Sequence, residues 1–166
     1  MIDERQVGKR KLNYEQAEAG AKRFLKRVGF PDMSVISYNE ADNLLSLNFV
    51  HKEGEVLVYP QTLTVKVALD NGSIVGLQAA DYVFNFHETV KGTPKLSEAQ
   101  ARKYVSPHLK IQKTNLAYIY GEDTKEALCY EFLGTIGKDQ YRVFINVQNG
   151  NEEYVEKITK ADISSI

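Results

Sequence analysis

The feature that most constrains the fold is a strand-and-turn phrase that occurs twice. VKVALDNGSIVGL begins at Val65, and VFINVQNGNEEYV begins at Val143. Each phrase alternates apolar and polar residues, reaches Asn-Gly and then begins a second run. Asn-Gly in this setting is typical of a type I′ hairpin turn, because both central residues of that turn need a positive φ. The sequence therefore predicts the same antiparallel hairpin twice.

A capped helix is predicted upstream of each hairpin. Asn13 and Ser97 are good N-cap residues, and Gln16 and Gln100 follow three positions later, which completes two capping boxes. Pro107 is expected to stop or bend the second helix, because proline disfavours a helical residue before it. The predicted helices lie within residues 12–30 and 96–111.

Three pairs of alternating segments complete the repeat. They are residues 34–38 and 116–120, residues 43–50 and 126–133, and residues 63–69 and 141–147. The caps lie 84 residues apart and the Asn-Gly turns 78 apart, so the first copy has a longer connection, predicted as a loop at 51–62. The prediction is an α+β chain of two tandem units, each a helix packed on a three- to four-stranded antiparallel sheet.

The predicted boundaries follow from this repeat. The first unit covers residues 12–91 after an N-terminal linker at 1–11, and the second covers 95–160 before a tail at 161–166. The stretch at 77–95 bridges the units and is expected to form part of their contact. It carries Tyr82, Phe84 and Phe86 at the spacing of a strand.

Composition excludes several classes of function. Hydrophobic residues make up 43% and charged residues 26%, which supports a globular core. A net charge of −1 argues against a nucleic-acid-binding protein. No apolar run is long enough to span a membrane, and the charged N-terminus does not have the form of a signal peptide. The abrupt start leads us to expect a piece excised from a longer protein.

The polar candidates for chemistry are interpreted as structural. His51, His87 and His108 lack the spacing of metal ligands and are expected in loops or turns. Cys129 is predicted on the same strand face as Ala127 and Glu131 and is expected to be a small sheet residue with an inert thiol. We therefore expect no catalytic residue, no metal and no cofactor.

Two clusters of charged residues, one acidic and one basic, can each be interpreted in two ways. The acidic groups could serve as acid–base pairs, but they crowd into predicted turns and edges, where they discourage edge pairing. The basic groups could touch an anionic surface, or they could line a solvated helix face. The acidic set is Glu122, Asp123, Glu126, Glu152, Glu153 and Glu156, and the basic set is residues 8–11 with Lys22, Arg23, Lys26 and Arg27.

Aromatic residues are the candidates for partner binding. Phe144 is predicted on the strand face opposite Val143, and an exposed aromatic there could mark a docking patch. Phe144 could equally be covered by the other unit or by the tail. The predicted partner-binding residues are Phe144, Tyr82, Phe84 and Phe86.

The capped helix followed by a hairpin sheet that ends in YRVFINVQNG resembles the PepSY domain. The segments from LNFVHKEGEVLVYPQT onward are similar to the C-terminal region of the YpeB-like family of spore germination proteins. The resemblance implies a protein that is not an enzyme. It also implies a membrane anchor in a segment absent from this chain, and a location outside the inner spore membrane in the cortex region.

The same resemblance implies a partner and a function. YpeB-like proteins depend mutually on SleB, an enzyme that degrades cortex peptidoglycan, and the expected role is to stabilise, localise or restrain a SleB-like enzyme until germination. Peptidoglycan itself is a further possible partner. The alternative function is the binding of a small ligand or a cell-wall polysaccharide fragment. The resemblance carries no site residue over to this chain.

Overall fold

The fold is described from a computed structural model, for residues 6–87, 92–121, 123 and 125–158 of the 166. These residues form short helices and mostly antiparallel strands, so the predicted α+β class is confirmed. The elements in chain order are α1 (Tyr14–Arg27), β1 (Met33–Ala41), β2 (Leu44–Glu53), β3 (Val56–Ala68), β4 (Ile74–Gln78), α2 (Ala80–Asn85), α3 (Glu98–Ala101), β5 (Lys110–Tyr120), β6 (Glu126–Ile136), β7 (Asp139–Asn146) and β8 (Glu152–Ile158).

The described residues divide into two compact units. Unit 1 holds residues 6–52 and 61–86, and unit 2 holds residues 53–60 and 87–158. Residues 53–60, which the sequence placed in the first unit, thus cluster with the second. The predicted boundary at 91 lies outside the described residues, and the tandem PepSY-like organisation stays a prediction.

Unit 1 packs one helix on a sheet. The capping box at Asn13 and Gln16 begins α1, as predicted. The buried face of α1 joins alternating residues of β2 and β3 in one apolar cluster. That cluster includes Ala17, Ala21, Leu25, Leu45, Leu47, Phe49, Leu63, Val65 and Val67. A fully buried Leu or Phe contributes about 1.5–3 kcal/mol, so this face of the sheet carries most of the stability of the unit.

Unit 2 repeats the arrangement with a much shorter helix. Ser97 and Gln100 form the second predicted capping box, but α3 has four residues and ends in a 3₁₀ turn at Arg102–Tyr104. The second helix, predicted within 96–111 and expected to stop or bend at Pro107, is therefore shorter than predicted. Val105 already has extended backbone, with φ −83° and ψ 145°, before the segment meets Pro107. The apolar cluster under α3 includes Ala101, Val105, Leu109, Phe132, Val143 and Ile145.

One backbone contact occurs in the same form in each unit. The amides of Lys11 and Leu12 donate to the carbonyl of Leu69, at 2.8 and 2.9 Å. The amides of Lys95 and Leu96 donate to the carbonyl of Val147, at 3.1 and 2.9 Å. In both units the residues before the helix cap are thus tied to the start of the Asn-Gly turn, as the repeat in the sequence suggests.

Both predicted Asn-Gly hairpins are present, but the type I′ geometry predicted for their turns was wrong. Gly72 and Gly150 have positive φ values, of 80° and 77°, whereas Asn71 and Asn149 do not. The Asn71 side-chain oxygen instead accepts from the Ser73 amide at 2.9 Å, which stabilises a wider loop.

A turn with two positive φ values lies elsewhere, between β1 and β2. Asp42 and Asn43 have φ values of 52° and 59°, and Ala41 pairs directly with Leu44. Both features fit a two-residue type I′ turn. This turn was not predicted from the sequence, because neither of its central residues is glycine.

The segment at 51–62 is not a loop. β2 continues to Glu53, Gly54 has a φ of 60° in the turn, and β3 begins at Val56. The extra residues of the first copy therefore lengthen two strands. Residues Val56, Leu57 and Val58 pair in parallel with Leu116, Ala117 and Tyr118 inside unit 2.

The bridging aromatic segment is also not a strand. Residues Ala80–Asn85 form α2, and the Val83 amide donates to the Ala79 carbonyl at 3.0 Å. Helical spacing places Tyr82 and Phe86 on one side, where their rings stack with centroids 5.4 Å apart. The strand predicted from Tyr82, Phe84 and Phe86 was wrong, because a period of two among three aromatics does not distinguish a strand from a short helix.

No helix in the part of the chain that the structure describes is both long and apolar enough to cross a membrane.

Candidate functional site

An exposed aromatic surface lies on and just after α2 in unit 1. We define it as Val83, Phe84 and Phe86. Phe84 is 86% exposed and Phe86 is 58% exposed, which is unusual for phenylalanine. Exposed apolar groups close together are typical of protein-binding surfaces. Two of the four predicted partner-binding residues, Phe84 and Phe86, are thus exposed within three residues of the chain.

Tyr82 supports the aromatic surface from below. It is buried and meets the Phe30 ring edge to face, with centroids 4.9 Å apart. His51 lies on β2 rather than in the expected loop, and its ring meets Tyr82 at 5.9 Å and Phe86 at 6.4 Å. These ring contacts hold α2 on unit 1 and so fix the direction in which Phe84 projects.

Phe144, the fourth predicted residue, is not an exposed aromatic. It is 2% exposed and meets the Tyr59 ring edge to face, with centroids 5.3 Å apart. Tyr59 belongs to the same unit, so Phe144 is covered from within unit 2. The tail at 161–166 lies outside the described residues. Its role in partner binding stays a prediction. Tyr154 of β8 lies at 6.3 Å from Phe144 and is half-exposed.

A charged triplet of residues lies beneath Tyr59 in unit 2. We give this name to Asn115, Glu131 and Arg142. Glu131 is 1% exposed, and its carboxylate accepts from the Asn115 amide at 2.8 Å and from the Tyr59 hydroxyl. Arg142 Nε lies 2.8 Å from Glu131 Oε1. The buried carboxylate is therefore compensated by a full positive charge and two hydrogen bonds.

The guanidinium of Arg142 has further partners. Its Nη1 donates to Glu156 Oε2 at 2.9 Å, and its Cζ lies 5.6 Å from the centre of the Tyr59 ring. Burial acts to lower the pKa of Arg142, but Tyr59, Glu131 and Glu156 together raise it. Burial first, and then Glu131, raise the pKa of Tyr59 well above its ordinary value. Tyr59 stays neutral and Arg142 stays charged at any physiological pH.

Unit 1 has a neutral triplet at the matching positions, Ser37, Asn48 and Thr64. Ser37 pairs with Asn48 across β1 and β2 as Asn115 pairs with Glu131 across β5 and β6. The Thr64 hydroxyl donates to Asn48 Oδ1, and Asn48 Nδ2 donates to the Ser37 hydroxyl, both at 2.8 Å. All three are half-buried.

The thiol of Cys129 lies in the interior of unit 2. It is fully buried, and burial followed by the charge of Glu153 raises its pKa to about 12. A reactive cysteine needs the opposite shift, because the thiolate is the nucleophile. The interpretation of Cys129 as a buried small residue agrees with this environment.

The remaining histidines do not cluster. His87 Nε2 lies 2.8 Å from Glu126 Oε1 in unit 2, and His108 is exposed. Among the described residues, no three His, Cys, Asp or Glu side chains are grouped as a metal ion would require.

Acidic residues line a polar pocket of about 400 Å³ in unit 2. Asp123, Glu126 and Glu153 contribute carboxylates, and Asn146 Nδ2 donates to Glu153 Oε1 at 2.8 Å. Glu122 lies outside the described residues. Glu152 is exposed, and Glu156 pairs with Arg142. The remaining lining is Lys125, Ala127, Asn149 and Asn151.

The predicted basic set at the N-terminus and on α1 is partly neutralised. Lys22 lies 2.6 Å from Glu18, one helical turn away, and Arg10 lies 2.9 Å from Glu40. Arg27 lies over the Phe24 ring at 5.9 Å.

The charged triplet was not predicted from the sequence. The pattern that could have indicated it is an acidic residue in CYEFL and a basic residue in YRVFI, each with apolar neighbours. Tyr59 carried no signal, since it was assigned to a loop.

Comparison with known proteins places this fold in a family. A family model described as "YpeB sporulation, PepSY1 and PepSY2 domains" matches residues 1–94. The chain is 35% identical over 161 residues to "Sporulation protein YpeB" of Halalkalibacterium halodurans, covering 97% of this chain and 36% of that protein. It is 34% identical over 164 residues to the protein of the same name in Bacillus subtilis, covering 98% and 36%.

A solved structure agrees with these relatives. The Bacillus megaterium YpeB C-terminal domain superposes with a TM-score of 0.85 at 33% identity, covering 96% of this chain and 71% of that one. The chain spans just over a third of the length of the curated relatives, 36% of each of these two. The resemblance inferred from the sequence is confirmed, and the chain belongs to the family described as YpeB sporulation, PepSY1 and PepSY2 domains.

Proposed function

We propose that this chain is a non-catalytic interaction module of a spore germination protein. In this proposal it stabilises, localises or restrains a SleB-like cortex-lytic enzyme in the dormant spore. Relatives named as sporulation proteins support the sporulation role. The observation that carries the docking role is the aromatic surface, on which Phe84 is 86% exposed.

The environment of the reactive groups supports a non-catalytic role. The Cys129 thiol is held neutral by a pKa of about 12, and the Glu131 carboxylate is engaged by Asn115, Tyr59 and Arg142. A nucleophile or general base needs a pKa matched to its task and access to substrate. The Cys129 thiol has neither, and the Glu131 carboxylate is buried away from any substrate.

The aromatic surface supports docking on energetic grounds. Burying an exposed phenylalanine fully yields about 1.5–3 kcal/mol, so Phe84 and Phe86 could act as the anchors of an interface. Their backbone is already fixed by α2, which lowers the entropy cost of binding.

Mass action links docking to protection of the enzyme. A partner that binds only the folded enzyme stabilises it by about 2.7 kcal/mol at a hundredfold excess over Kd. The same complex would occlude any enzyme surface that it covers. Stabilisation and restraint are therefore two consequences of one contact.

The test is co-purification of the chain with a SleB-like enzyme, together with the proteolysis rate of that enzyme. We expect Phe84→Ser with Phe86→Ser to abolish the complex and to speed proteolysis of the enzyme. Tyr154→Ser, at a half-exposed aromatic of unit 2, is the matched control and should leave the complex unchanged. Absence of a complex between the two folded wild-type proteins would contradict the proposal.

We also propose that the module lies in the cortex region, outside the inner spore membrane, held by an anchor in another part of the protein. Labelling of the full-length protein in spore-forming cells with a membrane-impermeant reagent tests this location. Labelling only after lysis would contradict it.

The polar pocket of unit 2 favours a second candidate function, the binding of a cell-wall fragment. Its carboxylates and side-chain amides could hydrogen-bond sugar hydroxyls and amides. Titration with soluble peptidoglycan fragments tests this, and Asn151→Ala should weaken any increase in melting temperature. An unchanged melting temperature at millimolar fragment would exclude the candidate.

A further inference from the structure

We propose that the first half of β5 in unit 2 binds an extended, acidic segment of a partner protein by strand addition. The proposal does not depend on the identity of the partner or on the aromatic surface. It rests on an open strand edge, on two exposed lysines along that edge, and on an apolar pocket at its end.

The edge is open because β5 has one complete neighbour and one partial neighbour. β6 pairs with β5 from Lys110 to Tyr120, with a register shift between Ile111 and Lys113, so the regular part of the open edge begins at Lys113. On the other side, β3 pairs only with Leu116, Ala117 and Tyr118. Beside residues 110–115, no described strand pairs with this side of β5. Alternate backbone groups of an unpaired edge can hydrogen-bond an added strand.

The exposure and charge of the side chains along this edge determine which kind of strand can pair with it. The side chains of Lys110, Gln112 and Lys113 are exposed. Neither lysine forms an ion pair with another described residue. Edge lysines oppose pairing with neutral or basic strands, and they attract carboxylates. The charge therefore selects an acidic strand.

A pocket of about 240 Å³ lies where the open edge meets β3. Its apolar lining includes Val56, Leu116, Tyr118 and Leu128, and Glu53, Gly92 and Pro94 complete it, so the segment needs an apolar residue rather than an acidic one at this position. Leu116 and Tyr118 are two positions apart and share one strand face. The volume fits one aliphatic side chain of a strand that ends beside Val56. In strand addition, main-chain hydrogen bonds provide affinity and such pockets provide specificity.

The β8 edge of the same unit lacks this combination. Its Glu156 is paired with Arg142 at 2.9 Å, and its Lys157 is paired with Asp139 at 2.9 Å. The charges of that edge are largely compensated within the unit.

The test uses the whole chain and a fluorescent peptide, acetyl-Glu-Thr-Glu-Thr-Val-Thr-Leu-amide, in anisotropy titrations. We expect saturable binding that weakens as NaCl is raised from about 0.05 to 0.3 M. N-methylation of one alternate set of peptide amides should abolish binding, and methylation of the other set should not. This difference is specific to strand pairing, because only one edge of the peptide faces β5.

Substitutions test the contribution of side-chain charge to binding separately from that of the main-chain hydrogen bonds. Lys113→Glu should weaken binding about fivefold, since it replaces an attraction with a repulsion at an exposed site. Lys125→Glu makes the same charge change in the β5–β6 connection and should have no effect. Replacing the peptide leucine by alanine should weaken binding through loss of the pocket contact.

Three outcomes would overturn the inference. They are no binding up to about 1 mM peptide, equal binding of the two N-methylated peptides, and equal binding when the peptide glutamates are lysines. None of these depends on the cortex-lytic enzyme, so the inference can fail while the proposed function stands.

Discussion

The charged triplet of unit 2 and the neutral triplet of unit 1 occupy the same places in the strand pattern of their units. Asn48 and Glu131 each precede a buried phenylalanine, and Thr64 and Arg142 each lie seven residues before an Asn-Gly turn. The neutral triplet is half-buried, whereas Glu131 and Arg142 are buried. The same position therefore accepts either a neutral or a charged network.

The difference follows from what lies above each triplet. In unit 2, Tyr59 covers Glu131 and contacts both Arg142 and Phe144. In unit 1, the position that matches Phe144 is Lys66, which is exposed. A buried charge must be compensated by a charge and by hydrogen bonds, but a half-buried amide can rely on two hydroxyls and water. The side chain that covers each triplet, rather than the alternation of its strands, therefore decides how strongly the residues of the triplet depend on one another.

The largest expected effect comes from removing the positive charge. Arg142→Met leaves Glu131 buried without a counter-charge and should destabilise the chain by about 3–5 kcal/mol in urea unfolding. Thr64→Val at the matching place removes one neutral hydrogen bond and should cost about 1 kcal/mol. Similar losses in the two variants would remove the distinction between the triplets.

A double-mutant cycle measures the coupling between Glu131 and Arg142. Glu131→Leu with Arg142→Met replaces the buried pair by apolar groups, which is often close to neutral. We expect the double variant to be at least about 2 kcal/mol more stable than Arg142→Met alone. Simple additivity of the two single changes would show that the pair is not coupled.

In unit 1, Asn48→Ala should cost about 1–2 kcal/mol, because Ser37 and Thr64 both lose a partner. Solvent can replace part of the loss, since the triplet is half-buried. Urea unfolding of Asn48→Ala with Thr64→Val, compared with the single changes, measures how far the neutral network is cooperative. A loss as large as that of Arg142→Met would contradict the comparison.

The smallest expected effect concerns Cys129, whose matching residue in unit 1 is Ser46. The folded pKa of Cys129 is raised to about 12 from an ordinary value of 9.0. Its contribution is thus fully present below pH 9 and is lost as pH rises toward 12, because only the unfolded thiol ionises there. The loss should reach about 1 kcal/mol at pH 10.

The control is Cys129→Ser, which removes the titrating thiol and keeps every other ionisable group. Urea unfolding at pH 8 and pH 10 should show a smaller loss in the variant than in the parent chain. Equal losses would mean that the thiol ionises equally in the folded and unfolded chains.

Much of unit 1 could be predicted from the sequence. The Asn13–Gln16 capping box, the buried face of α1 and the alternation of Leu45, Leu47 and Phe49 are local patterns, and each is present. The second helix was predicted too long and α2 was predicted as a strand. Both are short segments for which local preference is weak and packing decides.

The candidate site was less predictable. Phe84 and Phe86 were identified as candidates for partner binding, although their helical arrangement was not. For Phe144 the sequence left open whether the ring is exposed or covered, and Tyr59, a residue distant in the chain, covers it. A strand pattern tells which face a residue occupies but not what covers that face.

The sequence by itself determined that this chain contains two capped helices, two Asn-Gly hairpins and alternating strands, because caps, turns and alternation are set by neighbours within a few residues. It also carried the family resemblance. Only the tertiary structure decided which polar residues are buried, how Tyr59, Glu131 and Arg142 meet, and where β5 is left open. These features depend on contacts between residues far apart in the chain, whose burial no local pattern fixes.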